Sequence, residues 1–430
     1  MTAGTEEMLG LPAAELAAVV RRGDVSAVEV TEATLRRIDA HAAGHAFITT
    51  CPERALRRAA RRPTGPLAGV PLAVKDLFDT AAVRTTYGSS IFGDHVPSRT
   101  ARVVRALEGA GAIVVGKTNL HEFAWGVTSQ NPHYGTVENP AHPGRVAGGS
   151  SGGTAAALAD RLCTIGLGTD TGGSLRIPAA CCEVVGYKPR FGSLSIHGTF
   201  PLAPSFDTVG PMARTVRDVA LVQAVLAGRP ELAPGLAGTI TGLAGRQGDP
   251  ASRLAGVRVG VLEATGFEDE LAALGAVVTP VTLPEPVADV MPVFTAECAI
   301  THLPWFPRLR ERYGADLQLK LDAAQQVPAV DYHRGLLALR ELRERARAEP
   351  AVDVVVSPTL AIEPPPVDCW EPDVRGPLTR YTRPFNFLGW PTIAIGNLQI
   401  GGRDEDTVLG VALAWEEAHP LASGQGLANR

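Results

Sequence analysis

Three short apolar runs divide the first half of this 430-residue chain. They occupy residues 70–74, 112–115 and 162–167, and helical or glycine-rich stretches near 102–109 and 154–160 separate them. Runs of this length are typical of buried strands, and their alternation with helical segments indicates helices packed around a sheet. The sequence therefore predicts an α/β fold.

Two capping patterns place the beginnings of helices. Ser26 and Glu29 form a capping box, which predicts a helix that continues to about residue 41. Thr215 and Asp218 have the same spacing, and they predict a second helix that ends at about residue 227. In the first of these segments Val28, Leu35 and Ile38 are spaced to form one apolar face, as expected for a helix that packs against a core.

The second half of the chain has weaker patterns. Strands are predicted at 257–262, 276–283 and 354–356, with only a short segment between the first two. An amphipathic helix is predicted over 332–348 with Asp331 as its N-cap, and the Pro-rich residues 363–377 are expected to form an extended loop.

Residues 228–256 are rich in Gly, Pro, Ala and Thr and have little periodicity, so they are predicted to connect two halves, 1–227 and 257–430. The sequence contains no internal repeat. A chain of this size can bury a large core, and one α/β domain spanning residues 1–430 is the simplest arrangement.

Composition excludes several functional classes. The chain is 45% hydrophobic and 20% charged with a net charge of -5, which argues against nucleic acid as a partner. Glu6 and Glu7 stand where a secretory signal carries basic residues, and no apolar run approaches the roughly 18 to 20 residues of a membrane span. We expect a cytoplasmic protein without a membrane partner.

Metal chemistry has little support in the sequence. The six cysteines have neither metal-site nor disulfide spacing. His121-Glu122 begins a metalloprotease-like motif, but Trp125 occupies the position of the second histidine ligand. We expect His121, His133 and His142 to be structural, and we expect no metal or other cofactor.

Lysine is rare in this chain. Only Lys75, Lys117, Lys188 and Lys320 are lysine among 40 basic residues, and the first three lie in the first half. Arginine keeps its proton at any accessible pH, whereas a buried lysine can lose its proton and act as a base. Lys75, at the end of the first apolar run, is the best candidate for that role.

Serine occurs in two glycine-rich turns, at 148–153 and 172–174. Glycines before a serine allow successive backbone N–H groups to face a ligand, so Thr171, Gly172, Gly173 and Ser174 are candidates for an oxyanion hole. A tight structural turn is the simpler alternative.

Two other motifs overlap these turns. Residues 148–152 match the G-x-S-x-G nucleophile elbow, which would make Ser150 the nucleophile, but no downstream histidine has a loop signature. The glycines at 166–172 partly imitate a dinucleotide-binding fingerprint, although Pro178 soon interrupts the following helix. Neither motif identifies a function alone.

Taken together, these motifs resemble the amidase signature family in content and order. The matching segments are VKD (74–76), GGSSGG (148–153), GTDTGGSLRIPA (168–179), GYKP (186–189), FDTVGPM (206–212), SPT (357–359) and PFN (384–386). The resemblance implies a single domain with a mixed central β-sheet covered by α-helices on both faces.

The resemblance also implies a Ser-cisSer-Lys triad that cleaves amides through an acyl-enzyme. Carried over by position, Ser174 is the nucleophile, Ser150 is the bridging serine on a cis peptide, and Lys75 is the base. Ser151, Asp170 and Arg176 are expected to support this group. The expected partner is a small-molecule amide or carbamate, and the sequence leaves monomer and homodimer open.

Several positions depart from the family pattern. The segment between the strands at 257 and 276 is short, Glu183 replaces a common glycine, and Ala82 and Arg190 are also unusual. We interpret the short segment as leaving an open pocket that accepts bulky acyl donors, including aryl amides, carbamates and the matching esters. The candidate pocket residues are Phe123, Trp125, Gln130, Phe200, Trp305 and Tyr381.

Two rival functions remain open. One is the glutamine-hydrolysing component of a glutamine-dependent amidotransferase, which releases ammonia for a partner enzyme. Glutamine recognition requires a carboxylate for the amino group, and residues 378–386, where we expect that acid, contain none. The other rival is a non-catalytic scaffold, which the presence of Lys75, Ser150 and Ser174 disfavours.

Overall fold

A large mixed sheet organises the protein. The computed structural model describes residues 8–229, 252–263 and 265–419, and eleven strands of this part form one sheet in the order β1-β3-β2-β6-β8-β7-β12-β13-β11-β9-β10. The strands are β1 (Phe47–Thr50), β2 (Pro71–Lys75), β3 (Ile113–Thr118), β6 (Ile165–Asp170), β7 (Val185–Lys188), β8 (Thr208–Ala213), β9 (Arg258–Val261), β10 (Val277–Pro280), β11 (Val354–Pro358), β12 (Thr392–Ile395) and β13 (Leu398–Gly402). A separate hairpin joins β4 (Gln130–Asn131) to β5 (Gly135–Thr136).

Helices flank the sheet. They are α1 (Ala13–Arg22), α2 (Ala27–Ala40), α3 (Pro52–Ala59), α4 (Arg102–Gly109), α5 (Gly152–Ala159), α6 (Arg176–Cys181), α7 (Val216–Leu226), α8 (Glu268–Ala273), α9 (Met291–His302), α10 (Phe306–Leu309), α11 (Ala315–Ala324), α12 (Ala329–Arg345), α13 (Glu371–Thr379), α14 (Arg383–Leu388) and α15 (Glu405–Ala418). The predicted fold class, a single α/β domain with a mixed sheet, is confirmed.

Strand direction brings the chemistry of the first half together. β2 pairs in parallel with both β3 and β6, and every residue of β2 and β6 is buried. The register aligns Val74 with Leu167, so Lys75 and Asp170 both lie at the carboxyl ends of neighbouring parallel strands. Such ends form one edge of a sheet, and the loops that follow them can share a site.

The sheet also unites the two halves of the chain. β12 pairs antiparallel with β7, and β13 pairs with both β12 and β11. The predicted connector 228–256 falls mostly on residues 230–251, which lie outside the described part. Because β7 of the first half pairs with β12 of the second half, one continuous sheet joins the two halves into one fold.

The capping predictions have different outcomes. Ser26 Oγ accepts a hydrogen bond from the Glu29 amide, and the Glu29 carboxylate accepts one from the Ser26 amide, so the first capping box is complete. Thr215 accepts from the Asp218 amide, but the Asp218 carboxylate accepts from the Ala13 amide at 2.8 Å. Asp218 therefore links α7 to α1 instead of closing a capping box.

Two predictions for the second half are corrected. Helix α12 begins after Pro328, so Asp331 lies in its first turn and is not the N-cap. The predicted loop 363–377 is wrong over its last residues, because α13 begins at Glu371. Pro372 lies in the first turn of this helix, where proline is tolerated. The short segment between β9 and β10 contains α8, and β9 and β10 pair in parallel.

A helix that crosses a bilayer must be both long and apolar. Of the helices described above, none combines the two properties.

Two of the unusual residues adopt the left-handed backbone region. Ala82 has φ 58° and Glu183 has φ 55°. This region is costly for residues with a Cβ atom and easily adopted by glycine. The Glu183 side chain lies 3.1 Å from His142, whereas Ala82 is exposed and its methyl group packs against no core.

We predict that Ala82→Gly stabilises the protein. Relief of the left-handed strain outweighs the added entropy of the unfolded chain, so the free energy of unfolding should rise by about 0.5 to 1 kcal/mol. Urea denaturation measures this change. Ala81→Gly is the matched control, because Ala81 has no positive φ, and it should lower stability. A lower stability for Ala82→Gly would contradict the strain argument.

Candidate active site

Lys75 ends β2 with a completely buried side chain. Its Nζ atom donates to Ser150 Oγ at 2.8 Å and to Thr169 Oγ1 at 2.7 Å. Burial lowers the pKa of Lys75 to about 7, against a smaller opposing effect of Asp170 and Asp207. The amine can therefore lose its proton near neutral pH and accept one from a hydroxyl.

Ser150 follows Gly149 through a cis peptide bond. Glycine is required before it, because a Cβ atom on Gly149 would lie 2.9 Å from the backbone of both Val127 and Thr128. The Ser150 carbonyl accepts from the His121 amide at 3.2 Å. The loop that contains His121 and Val127 thus forms the wall behind Ser150.

Ser174 lies in the loop after β6 and is 7% exposed. Its carbonyl accepts from the Ser151 amide at 3.2 Å, which joins the two glycine-rich turns. Ser151 Oγ donates to the Thr169 carbonyl at 3.3 Å. The Ser174 hydroxyl has no hydrogen-bond partner among the described residues, so it is not held by a structural contact.

Asp170 and Arg176 form a buried ion pair that shapes this loop. Arg176 Nε donates to Asp170 Oδ2, and Arg176 Nη2 donates to Oδ1, both at 3.0 Å. Asn386 Nδ2 donates to Oδ1 at 2.7 Å. Burial alone would raise the pKa of Asp170, but Arg176 outweighs it and lowers this pKa to about 2. Asp170 therefore stays ionised.

The Asp170 carboxylate removes one of the four backbone amides predicted for the oxyanion hole. The Gly173 amide donates to Asp170 Oδ1 at 2.8 Å, so that N–H group is occupied. The amides of Thr171, Gly172 and Ser174 have no acceptor within the described ranges and remain candidates. Gly173 has φ 130°, and a Cβ atom there would lie 2.3 Å from Thr382 Oγ1.

A small cavity adjoins this group of residues. Its apolar wall includes Leu77, Ile196, Phe200, Leu202 and Val209, and its polar wall includes Thr169, Thr171 and Asp207. Burial raises the pKa of Asp207, although its bond from Thr171 Oγ1 partly offsets this effect. Thr169 contacts both Lys75 and the cavity, so the cavity lies beside the candidate base.

The candidate pocket residues separate into groups. Phe200 lines the cavity and belongs to one aromatic cluster with Phe123, Trp125 and Trp305. Gln130 lies elsewhere, where its Nε2 atom donates to the carbonyls of Val367 and Cys369. Tyr381 is also outside the cavity wall, and the Arg380 guanidinium lies 5.1 Å from its ring centroid.

Sequence reasoning assigned no role to three residues of the site. Thr169 is an acceptor for Lys75, Asp207 lines the cavity, and Asn386 bonds Asp170. Each lies in a segment that matched the family pattern, but a motif match does not indicate which side chains touch.

The three histidines of interest have carboxylate partners. His121 Nε2 lies 2.9 Å from Asp316, His133 Nε2 lies 2.8 Å from Glu122, and His142 contacts Glu183. Within the described ranges, no group of three or more acidic, histidine or cysteine residues is arranged to hold a metal ion.

Comparison with known proteins connects this geometry to one family. The family model described as Amidase matches residues 29–418. The chain is 34% identical to the A-type subunit of the glutamyl-tRNA(Gln) amidotransferase of Methylococcus capsulatus over 481 residues, covering 94% of this chain and 96% of that protein. Because that alignment exceeds 430 residues, this chain lacks segments that the relative has.

Other matches differ in extent. The corresponding amidotransferase subunit of Salinispora tropica is 42% identical over 295 residues, but this covers 64% of the chain and only 59% of that relative. Among solved structures, one described as the crystal structure of an amidase has a TM-score of 0.82 and 31% identity, and the match covers 95% of this chain and 100% of that one.

We predict that Asp170→Asn strongly destabilises the protein. The substitution leaves Arg176 without its charge partner in a buried site, so the free energy of unfolding should fall by about 3 to 5 kcal/mol. Urea denaturation provides the measurement. Glu32→Gln, which removes an exposed ion pair to Arg36, should change stability by less than about 0.5 kcal/mol. Equal losses of stability in the two variants would show that Asp170 is not an essential charge partner of Arg176.

Proposed function

The chain belongs to the amidase signature family, and we propose that it hydrolyses carboxylic amides through an acyl-enzyme on Ser174. The observation that carries the proposal is the contact between the buried Lys75 amine and Ser150 Oγ at 2.8 Å. A lysine with a pKa of about 7 and a hydroxyl partner is suited to proton transfer at neutral pH.

The proposed reaction has two halves. Neutral Lys75 accepts the Ser150 proton while Ser150 takes the proton of Ser174, and Ser174 Oγ attacks the amide carbonyl carbon. The relay then returns the proton to the amide nitrogen, the C–N bond breaks, and the amine leaves. Water attacks the acyl-enzyme by the same relay, releases the carboxylic acid and restores Ser174.

The negative charge of the tetrahedral intermediate needs hydrogen-bond donors. The free amides of Thr171, Gly172 and Ser174 are suited to this role, and each well-placed donor is worth about 3 to 4 kcal/mol. Asp170 contributes indirectly, because its bond from the Gly173 amide fixes the turn that presents these donors. Ser151 and Arg176 hold the same turn.

The cavity beside the site supports an apolar substrate group. Six of its wall residues are apolar, and such a wall favours an acyl or leaving group with aliphatic or aromatic character. We propose aryl amides and carbamates as preferred substrates, with the matching esters as secondary ones. Carbamates fit the same chemistry, since their carbonyl also bears a nitrogen leaving group.

The short segment between β9 and β10 lies too far from the site in the sheet to support this substrate proposal. It joins β9 to β10, and five strands, β8, β7, β12, β13 and β11, separate β9 from β6 in the sheet. Its Glu263 side chain contacts Arg380 at 3.1 Å. The apolar wall, and not the trimmed segment, is therefore the reason for the substrate proposal.

Glutamine hydrolysis within an amidotransferase is the second candidate function. The names of the sequence relatives favour it, and glutamine hydrolysis would use the same nucleophile and base. Residues 378–386 offer no acid for the glutamine amino group, and there Arg383 donates to Thr379 Oγ1. The cavity wall contains one acid, Asp207, but burial raises its pKa, which makes it a weaker partner for the glutamine ammonium than a fully ionised carboxylate.

A substrate panel tests the proposal. The purified protein should hydrolyse anilides, aryl carbamates and the matching esters faster than glutamine or small primary amides. Ser174→Ala and Lys75→Arg should each lower kcat/KM by at least about 1000-fold, since each removes a group on which the others depend. Liberated amine and carboxylic acid are quantified by chromatography.

Controls separate the alternatives. Ser193→Ala alters an exposed serine and should retain full activity. A fluorophosphonate should label the parent protein at Ser174 and leave Ser174→Ala unlabelled. Glutamine-dependent ammonia release without turnover of the panel would favour the amidotransferase function, and absence of both labelling and turnover would favour a scaffold.

A further inference from the structure

The wall behind Ser150 is a loop without regular hydrogen bonding to the sheet. This wall loop comprises residues 121–129, and its His121 amide donates to the Ser150 carbonyl at 3.2 Å. Ser129 Oγ accepts from the Gly152 amide at 3.1 Å, at the beginning of α5. Because the Val127 and Thr128 backbone lies against Gly149, we expect displacement of this part of the wall loop to displace the peptide that carries Ser150.

Lys320 on α11 holds the wall loop from the other side. Its buried Nζ atom donates to the Trp125 carbonyl at 2.6 Å and to Asp316 Oδ2 at 2.7 Å. It also lies 2.9 Å from Glu371 Oε2 on α13. The three protons of the ammonium group therefore meet three oxygens that come from three separate segments of the chain.

The carboxylates of Asp316 and Glu371 make hydrogen bonds to two further residues of the wall loop. Glu371 Oε1 accepts from the Val127 amide at 3.1 Å, and Asp316 Oδ2 lies 2.9 Å from His121 Nε2. Burial alone would raise the pKa of Asp316 and of Glu371, but His121 and Lys320 hold both pKa values below their ordinary range. Both carboxylates thus remain charged acceptors for the wall loop.

We propose that Lys320 is a positioning residue for Ser150. It fixes Trp125 directly, and it fixes Val127 and His121 through Glu371 and Asp316. A single nitrogen with three donors suits this convergence, whereas the planar guanidinium of arginine spreads its donors over a wider fork. This geometry explains why lysine suits position 320 better than arginine.

The inference rests on the proposed relay through Ser150, and its effect should appear in turnover more than in substrate binding. Displacement of a catalytic group by about 1 Å can lower a rate about 100-fold. Lys320→Met should therefore lower kcat about 10- to 100-fold, with KM changed by less than about twofold because Lys320 does not line the cavity. The rate of fluorophosphonate labelling at Ser174 should fall in parallel.

The controls distinguish positioning from stability. Leu321→Ala removes a buried side chain from the same helix and leaves the charge network intact, so it should lower the melting temperature while kcat of the folded protein stays within about twofold of the parent. If Lys320→Met does not fold, Lys320→Met with Glu371→Gln restores the buried charge balance and is measured instead.

Two outcomes overturn parts of the account separately. A folded Lys320 variant whose kcat and labelling rate stay within twofold of the parent refutes the positioning role. Loss of kcat in Leu321→Ala equal to that in the Lys320 variant also refutes it. If the parent hydrolyses no amide, the proposed function fails, while the labelling rates still test Lys320.

Discussion

The burial of one lysine amine among hydroxyl groups is the constraint on which this site depends. An ammonium group in a dry environment needs a carboxylate partner, and without one its pKa falls. Asp170 is the acid that could supply that charge to Lys75, but Arg176 binds it through two hydrogen bonds. Lys75 is left with Ser150 and Thr169, so its neutral form becomes accessible near neutral pH.

Two of the other three lysines, Lys117 and Lys320, show the contrast. Lys117 lies 3.1 Å from Asp76, and Lys320 lies within 3 Å of both Asp316 and Glu371. Both amines have carboxylate partners and act as cross-links between segments, although burial still lowers the pKa of Lys117. Lys188 is also buried, donates to the Pro189 carbonyl at 3.1 Å, and has its pKa lowered by burial to about 7. Lys75 is therefore distinguished by its contact with the Ser150 hydroxyl.

The sequence predicted those elements that a short stretch of residues indicates by itself. Strands β2, β3 and β6 followed from apolar runs, and Lys75 was identified by the rarity of lysine. Contacts such as Asn386 with Asp170 join residues 216 positions apart, and no local pattern indicates them. Helix α13 was missed because its prolines suggested a loop, yet Pro372 lies in the first turn, where its missing N–H costs nothing.

The central claim is that Lys75 loses its proton near neutral pH, and NMR of lysine side chains tests it directly. With only four lysines in the chain, ¹³C/¹⁵N-lysine labelling gives few signals, and Lys75→Arg assigns the one from position 75. The account predicts that this signal titrates with a pKa of about 7. A signal that retains the ammonium shift above pH 9 would contradict it.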